Sequence, residues 1–152
     1  MSFRHCLLAS AVVVSSLGFT ASTQAALPFF SDKKDEVINI WKDGIASVAE
    51  CPNVVVKLGG IGMPRTGFNW HERDVPISSE ELAEDIAPFF DYCIDNFGPE
   101  RSMFESNFPV DKVSFSYPVL YNAFKRYSKG FSVSERAAMF HDNAVDVYKI
   151  SI

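Results

Sequence analysis

The sequence CPNVVVKLGGIGM, residues 51–63, is the stretch that decides the fold class. Val54–Leu58 is a short β-branched run with Pro and Asn before it and two glycines after it, which is the pattern of a strand. Its apolar residues are consecutive rather than alternating, and this is typical of a parallel strand covered on both faces. The stretch therefore predicts a strand in an α/β sheet, followed by a long polar, Gly- and Pro-rich loop over residues 61–77.

Helical patterns lie on both sides of this run. Apolar residues recur at helical spacing before it, and two capping boxes follow it, formed by Ser78 with Glu81 and by Ser132 with Glu135. The order helix, strand, helix, strand, helix, helix predicts a parallel α/β sheet. The predicted helices cover residues 32–50, 78–97, 116–127 and 132–148, and the predicted second strand covers residues 102–105.

The first 25 residues differ from the rest of the chain. A basic start at Arg4 is followed by the uncharged apolar run Cys6–Ala21 and by small residues around Ala25. This is the layout of a secretory signal peptide, and the run is short of the ~20 residues of a membrane span. We therefore predict a signal-peptide-like segment at 1–25 and one domain at 26–152. The chain is then secreted or periplasmic; if the start is mis-set, it is cytoplasmic.

The net charge and the cysteines argue against three features: a nucleic-acid partner, a disulfide scaffold and a structural zinc site. The net charge is −5, and the 14 basic residues are scattered, so we expect no nucleic-acid partner. The three cysteines cannot form a disulfide scaffold, and without a C-x-x-C motif they suggest no structural zinc site.

Five segments carry, in order, a resemblance to a known family. They are residues 51–63, FGPERSMFESNFPVDK at 97–112, SY at 116–117, NAFKR at 122–126 and FHDNAVDVY at 140–148. Together they resemble the amidohydrolase-related family of TIM-barrel hydrolases, lactonases and decarboxylases, many of them metal-dependent. The resemblance covers about residues 33–150.

The resemblance implies an α/β fold that is the C-terminal portion of a (β/α)8 TIM barrel. In this interpretation Val54–Leu58 and Ser102–Ser106 are the seventh and eighth strands, and the earlier strands are missing. A whole barrel needs about 250 residues, whereas this sequence has 152. Because the remaining strands would have unpaired edges, we also expect self-association.

The family's metal ligands lie mainly on the earlier strands. The chain has only His5, His71 and His141, and no two of them have ligand spacing. A metal site needs three or four ligands. We therefore predict no metal ligands and no cofactor in this chain, with a divalent metal such as zinc expected only for the full-length family.

Two residues are predicted as catalytic by the resemblance. The family's last strand ends in Gly-Ser-Asp, and its Asp binds metal or acts as general base. The corresponding residues here are Glu105-Ser106-Asn107, so an amide replaces the carboxylate, and an amide cannot abstract a proton. Asn107 is then a substrate-orienting amide. Asp111 becomes the candidate acid–base group, the alternative being a loop carboxylate that pairs with Lys112 or caps the next helix.

Three further residues are predicted to bind substrate. Lys57 interrupts an apolar strand and could bind a substrate carboxylate at the barrel mouth, or lie at the strand end with its ammonium group in solvent. Arg65 and His71 lie in the long loop above the same site, where His71 could instead be an exposed loop residue. His141 is interpreted as structural.

Three functional hypotheses remain open. The first is a hydrolase that cleaves a C–N, C–O or lactone bond of a small organic acid, or decarboxylates it. The second is a truncated, non-catalytic binding or interaction module. The third is a gene fragment without independent function. The missing barrel strands favour the second and third hypotheses for the chain on its own.

Overall fold

The computed structural model describes residues 34–151, so the predicted signal-peptide-like segment lies outside the described residues. Within this range, no helix combines the length and apolar character needed to cross a bilayer. The helices and strands are α1 Lys34–Ala49, β1 Val56–Leu58, α2 Ser79–Phe97, β2 Ser102–Phe104, α3 Tyr117–Tyr127, α4 Val133–Ala137 and α5 Asn143–Tyr148.

The two strands are parallel, as predicted, with Val56 opposite Ser102 and Leu58 opposite Phe104. Both are shorter than the predicted 54–58 and 102–105. Val54 lies outside the ladder because its N–H donates to the Cys51 carbonyl at 3.1 Å and its carbonyl accepts from Arg101. Backbone groups that are bonded elsewhere cannot join the ladder.

The two faces of this sheet are different. Val56, Leu58 and Phe104 pack into the core, where the Phe104 ring stacks on Phe124 of α3 at 4.6 Å between centroids. Lys57 alternates with these residues and therefore lies on the other face. Lys57 is the residue that interrupts the apolar run in the sequence, and 22% of its side chain is exposed on this second face.

The helix α2 follows its predicted pattern closely. Its capping box is formed, with Ser78 accepting from the Glu81 N–H and the Glu81 carboxylate accepting from the Ser78 N–H. Leu82, Ile86 and Phe90 are buried and form the side of the helix that faces the core.

The C-terminal helical stretch is interrupted. The helix predicted over 132–148 divides into α4, a π-helical turn at Ala138–Asp142, and α5. Asn143, at the start of α5, donates through Nδ2 to the carbonyls of Pro99 and Ser102 at 2.7 and 2.6 Å. This side chain attaches α5 to the start of β2.

Candidate active site

Two charged side chains, Lys57 and Glu105, meet at the carboxyl end of the sheet. Lys57 is the middle residue of β1, and Glu105 directly follows β2. Their side chains form an ion pair between Nζ and Oε2, with only 22% and 14% of the two side chains exposed. The structure thus places Lys57 on the face away from the core, with a protein carboxylate beside it.

Glu105 is held closely against β1. Its N–H donates to the Leu58 carbonyl at 3.1 Å, which extends the parallel pairing by one residue. A Cβ atom at Gly59 would lie 2.3 Å from the Glu105 carbonyl oxygen and 2.5 Å from its Cγ. Glycine is therefore required at position 59, because any side chain there would displace Glu105.

The Glu105 carboxylate has one oxygen without a protein donor. Oε2 faces Lys57, whereas Oε1 is buried and accepts no hydrogen bond from residues 34–151. A buried carboxylate oxygen without a donor is costly. This oxygen is therefore an unused hydrogen-bond acceptor inside the site.

Asp111 joins the two loops that follow the strands. It is 1% exposed. Its Oδ2 accepts from the Gly62 N–H at 3.0 Å, and its Oδ1 accepts from the Asn107 amide at 2.7 Å. The sequence-based alternative paired Asp111 with Lys112, but neither of these partners is Lys112. The structural role of Asp111 is therefore a different one. The carboxylate holds the loop after β1 against the loop after β2.

A second hydrogen bond reinforces this connection. The Ser114 hydroxyl donates to the Gly62 carbonyl at 2.5 Å, so both backbone polar groups of Gly62 are bonded to the loop after β2. Burial raises the pKa of Asp111, and repulsion from Glu105 adds to this, while the hydrogen bonds from Gly62 and Asn107 lower it. Burial is the largest of these effects.

Asn107 adopts an unusual backbone conformation. Its φ is 49°, in the left-handed region that asparagine tolerates better than most residues. Its amide nitrogen is used to bind Asp111. The structure therefore brings together the two residues predicted as catalytic, in a hydrogen bond with each other.

Arg65 and His71 lie in the predicted loop between β1 and α2, in two short 3-10 turns, Pro64–Thr66 and Trp70–Glu72. Arg65 is exposed. His71 is partly buried, with Nε2 3.7 Å from the Glu72 carboxylate and with Nδ1 buried and unpaired within residues 34–151.

Whether the described residues could hold a metal can be judged from their donor groups. Among residues 34–151, no three His, Cys, Asp or Glu side chains lie close enough together to bind a metal ion. Asp111 and Glu105 are each already engaged by protein donors. These residues do not make up a zinc site by themselves.

The sequence did not reveal Glu105, Gly62 or Ser114 as parts of this site. The signal for Glu105 was the strand register, because Lys57 and Glu105 fall on the same face once the strands are paired in parallel. No local pattern marks Gly62 or Ser114, whose partners are 49 and 52 residues away.

These residues make a parallel α/β unit, and α/β folds place their ligand sites at the carboxyl ends of the strands. The chain belongs to the amidohydrolase family: the profile described as Amidohydrolase matches residues 25–150. It is 43% identical over 110 residues to the uncharacterized protein y4mH of Sinorhizobium fredii, covering 72% of this chain and 33% of that protein.

Two lactonases are among the relatives. The chain is 28% identical over 120 residues to an L-fucono-1,5-lactonase of Burkholderia multivorans, covering 78% of this chain and 38% of that enzyme. It is 28% identical over 104 residues to an L-rhamnono-gamma-lactonase of Scheffersomyces stipitis, covering 65% of this chain and 29% of that enzyme.

Solved structures of amidohydrolases are similar in fold to this chain. An amidohydrolase from Burkholderia multivorans with bound HEPES superposes with a TM-score of 0.67 at 27% identity, over 79% of this chain and 40% of that one. A second crystal form with bound zinc gives a TM-score of 0.65 at 27% identity, over 77% and 39%. The chain thus spans no more than two fifths of the length of these relatives.

Proposed function

We propose that this chain forms part of the active site of an amidohydrolase-family hydrolase that opens the lactone ring of a small sugar acid. The observation that carries the proposal is the Lys57–Glu105 ion pair at the carboxyl end of the parallel strands, on the face away from the core. The two lactonases among the relatives support the reaction class.

The chemistry of lactone opening suits a cationic donor at this place. Water adds to the ring carbonyl carbon, the ring C–O bond breaks, and one proton of the water passes to the former ring oxygen, which gives a hydroxy acid. Negative charge develops on oxygen during these steps, and a positioned donor stabilises it. We assign this contact to the Lys57 ammonium group.

The buried pair Asp111–Asn107 has a supporting role in this proposal. Asp111 is almost completely sealed from solvent, and its two oxygens accept from Gly62 and Asn107. We assign it to holding the two strand-end loops together. Its sequence-based role as a general base stays a prediction.

A second candidate is a binding module without turnover. It is favoured by Asn107, which stands where the resemblance implies a carboxylate, and whose amide is bound to Asp111. This candidate keeps the ligand site at Lys57 and Glu105 but has no proton acceptor at position 107.

Further proposals concern the whole chain. Residues 1–25 would direct export and be removed near Ala25, and residues 26–152 would form the functional domain. The supporting observation is the basic, apolar and small-residue layout of the first 25 residues. Mass spectrometry of exported protein tests this: a mature chain that begins near residue 26 is expected, and an uncut chain in the cytoplasm contradicts it.

The hydrolase proposal is tested with the full chain and two lactones, L-fucono-1,5-lactone and L-rhamnono-γ-lactone. Acid release is followed with a pH indicator and compared with spontaneous hydrolysis. We expect Lys57→Met to reduce kcat/KM at least tenfold, because the donor to the developing charge is lost. Lys112→Met, an exposed neighbour of Asp111, is the matched control and should change little.

The same assay separates the two candidates. Lactone binding without acid release above the spontaneous rate supports the binding module. Activity that is equal in Lys57→Met and in the unmodified chain contradicts the proposed site.

A further inference from the structure

The charge at the carboxyl end of the sheet is already balanced within the protein. Lys57 supplies one positive charge, and Glu105 supplies one negative charge in direct contact with it. Because the pair is mostly buried, solvent and salt screen these charges less than they would screen a surface pair. A ligand at this site therefore does not meet an unpaired ammonium group.

This arrangement differs from the one expected from the sequence alone, in which Lys57 binds a substrate carboxylate. A ligand carboxylate that approaches Lys57 also approaches Glu105, and the like charges repel each other. Asp111 is a second acidic group close enough for its ionisation to be affected by Glu105. The protein's own carboxylates thus oppose an anionic ligand.

The unpaired Glu105 oxygen indicates which ligand groups would complement the ion pair. Oε1 is buried and accepts no hydrogen bond from the described residues, while the adjacent Lys57 ammonium can donate one. A neutral ligand that carries a hydroxyl next to a carbonyl or ring oxygen supplies both partners: the hydroxyl donates to Glu105, and the oxygen accepts from Lys57.

We propose that Glu105 is a specificity-determining residue that makes this site favour a neutral polyhydroxy ring over the corresponding hydroxy-acid anion. The inference rests on the proposed function, in which the ring is the lactone and the anion is its product. Hydrolysis turns a neutral ligand into an anion beside Glu105. The repulsion then weakens product binding, and Glu105 promotes product release.

The test uses two ligands that share one carbon skeleton and do not react. L-Fucose is the neutral ring, and L-fuconate is the open-chain anion. Their dissociation constants for the full-length chain are measured by calorimetry at pH 7.5. We expect L-fucose to bind at least tenfold more tightly than L-fuconate.

The decisive comparison is Glu105→Gln. This variant removes the negative charge and keeps a side chain of similar size, so we expect L-fuconate affinity to rise about tenfold, which corresponds to about 1.4 kcal/mol. L-Fucose affinity should not rise. Glu100→Gln is the matched control, since it makes the same charge change at an exposed position before the start of β2, and both affinities should stay the same.

Three results would overturn the inference: tighter binding of L-fuconate than of L-fucose by the unmodified chain, an unchanged L-fuconate affinity in Glu105→Gln, or binding of neither ligand. Circular dichroism of each variant verifies that it is folded. Failure of the proposed function is a separate result, because a chain that binds both ligands in the expected order but opens no lactone contradicts catalysis and leaves this inference standing.

Discussion

Gly62 is the residue at which the two strand-end loops come closest. A Cβ atom there would lie 2.7 Å from the Phe115 ring and 2.8 Å from the Asp111 Cβ. Distances this short force a shift in one of the two buried neighbours. The backbone of Gly62 is also bonded to Asp111 and Ser114, so such a shift strains both hydrogen bonds.

We expect Gly62→Ala to destabilise the fold by about 1–3 kcal/mol, the typical cost of overpacking a buried site. Urea denaturation measures the change in free energy of unfolding. Gly44→Ala is the control, because Gly44 lies in α1 with no atom within 4 Å of the added Cβ. That change should be neutral or stabilising by up to about 1 kcal/mol. An equal effect of the two substitutions contradicts the close contact at Gly62.

The buried Asp111 carboxyl group makes the stability of the fold depend on pH. Burial raises its pKa in the folded chain above the ordinary value of 3.8. The folded state therefore binds the proton more tightly than the unfolded state. Stability is lost as pH rises from about 3.8 through the folded pKa.

We expect Asp111→Asn to remove this part of the pH dependence, because an amide does not ionise. Denaturation at several pH values between 3.5 and 8 measures it. The stability of the unmodified chain relative to the variant should fall as the pH rises. A relative stability that grows with pH would show that the ionised carboxylate is favoured by folding and would contradict the burial argument.

At the scale of single elements, the capping box of α2 makes the stability of the fold depend on pH through Glu81. Hydrogen bonding to the Ser78 N–H is the largest of the effects that lower the pKa of Glu81 from 4.5 to about 2, and the Arg73 side chain adds to it. A lowered acid pKa stabilises the fold above pH 4.5, and this contribution is lost as the pH falls toward 2.

We therefore expect the Glu81→Gln variant to lose less stability than the unmodified chain does as the pH falls from 4.5 to 2. Thermal denaturation across this range, followed by circular dichroism, is the measurement. Glu84→Gln, an exposed glutamate in the same helix, is the matched control. If both variants lose stability with acid in the same way as the unmodified chain, the capping carboxylate does not contribute.

The elements show what the sequence could and could not predict. The helix α2 was predictable because its capping box and its apolar repeat are local patterns. The strands were predicted in the right place and parallel, but too long, because the backbone of Val54 is bonded to Cys51 and Arg101 instead of the ladder. The resemblance selected Asp111 and Asn107, but only three-dimensional pairing shows that they bind each other.

At the scale of the whole molecule, the feature that matters is the edge of the sheet. In residues 34–151 the sheet consists of β1 and β2, so each strand has one edge without a strand partner in that range. Unpaired edges are templates for pairing with another chain. Self-association stays a prediction, and these edges are its physical reason.

We expect the full chain to self-associate at micromolar concentration, measured by analytical ultracentrifugation. Val55→Lys, which places a charge just before β1, should shift the distribution toward the monomer, because edge lysines oppose strand pairing. Val133→Lys is the control, at a position in α4 that is 87% exposed. A chain that is monomeric throughout this range, with a cooperative thermal transition, contradicts the prediction.

The central claim is that the ligand site lies at the carboxyl ends of the two strands. Titration of the isotope-labelled full chain with L-fucose, followed by amide chemical shifts, tests it directly. The account predicts that the largest shifts occur at Lys57, Glu105 and the loop residues around Gly62 and Asn107. Shifts confined to the opposite end of the sheet, around Arg101 and the residues that precede β1, would contradict it.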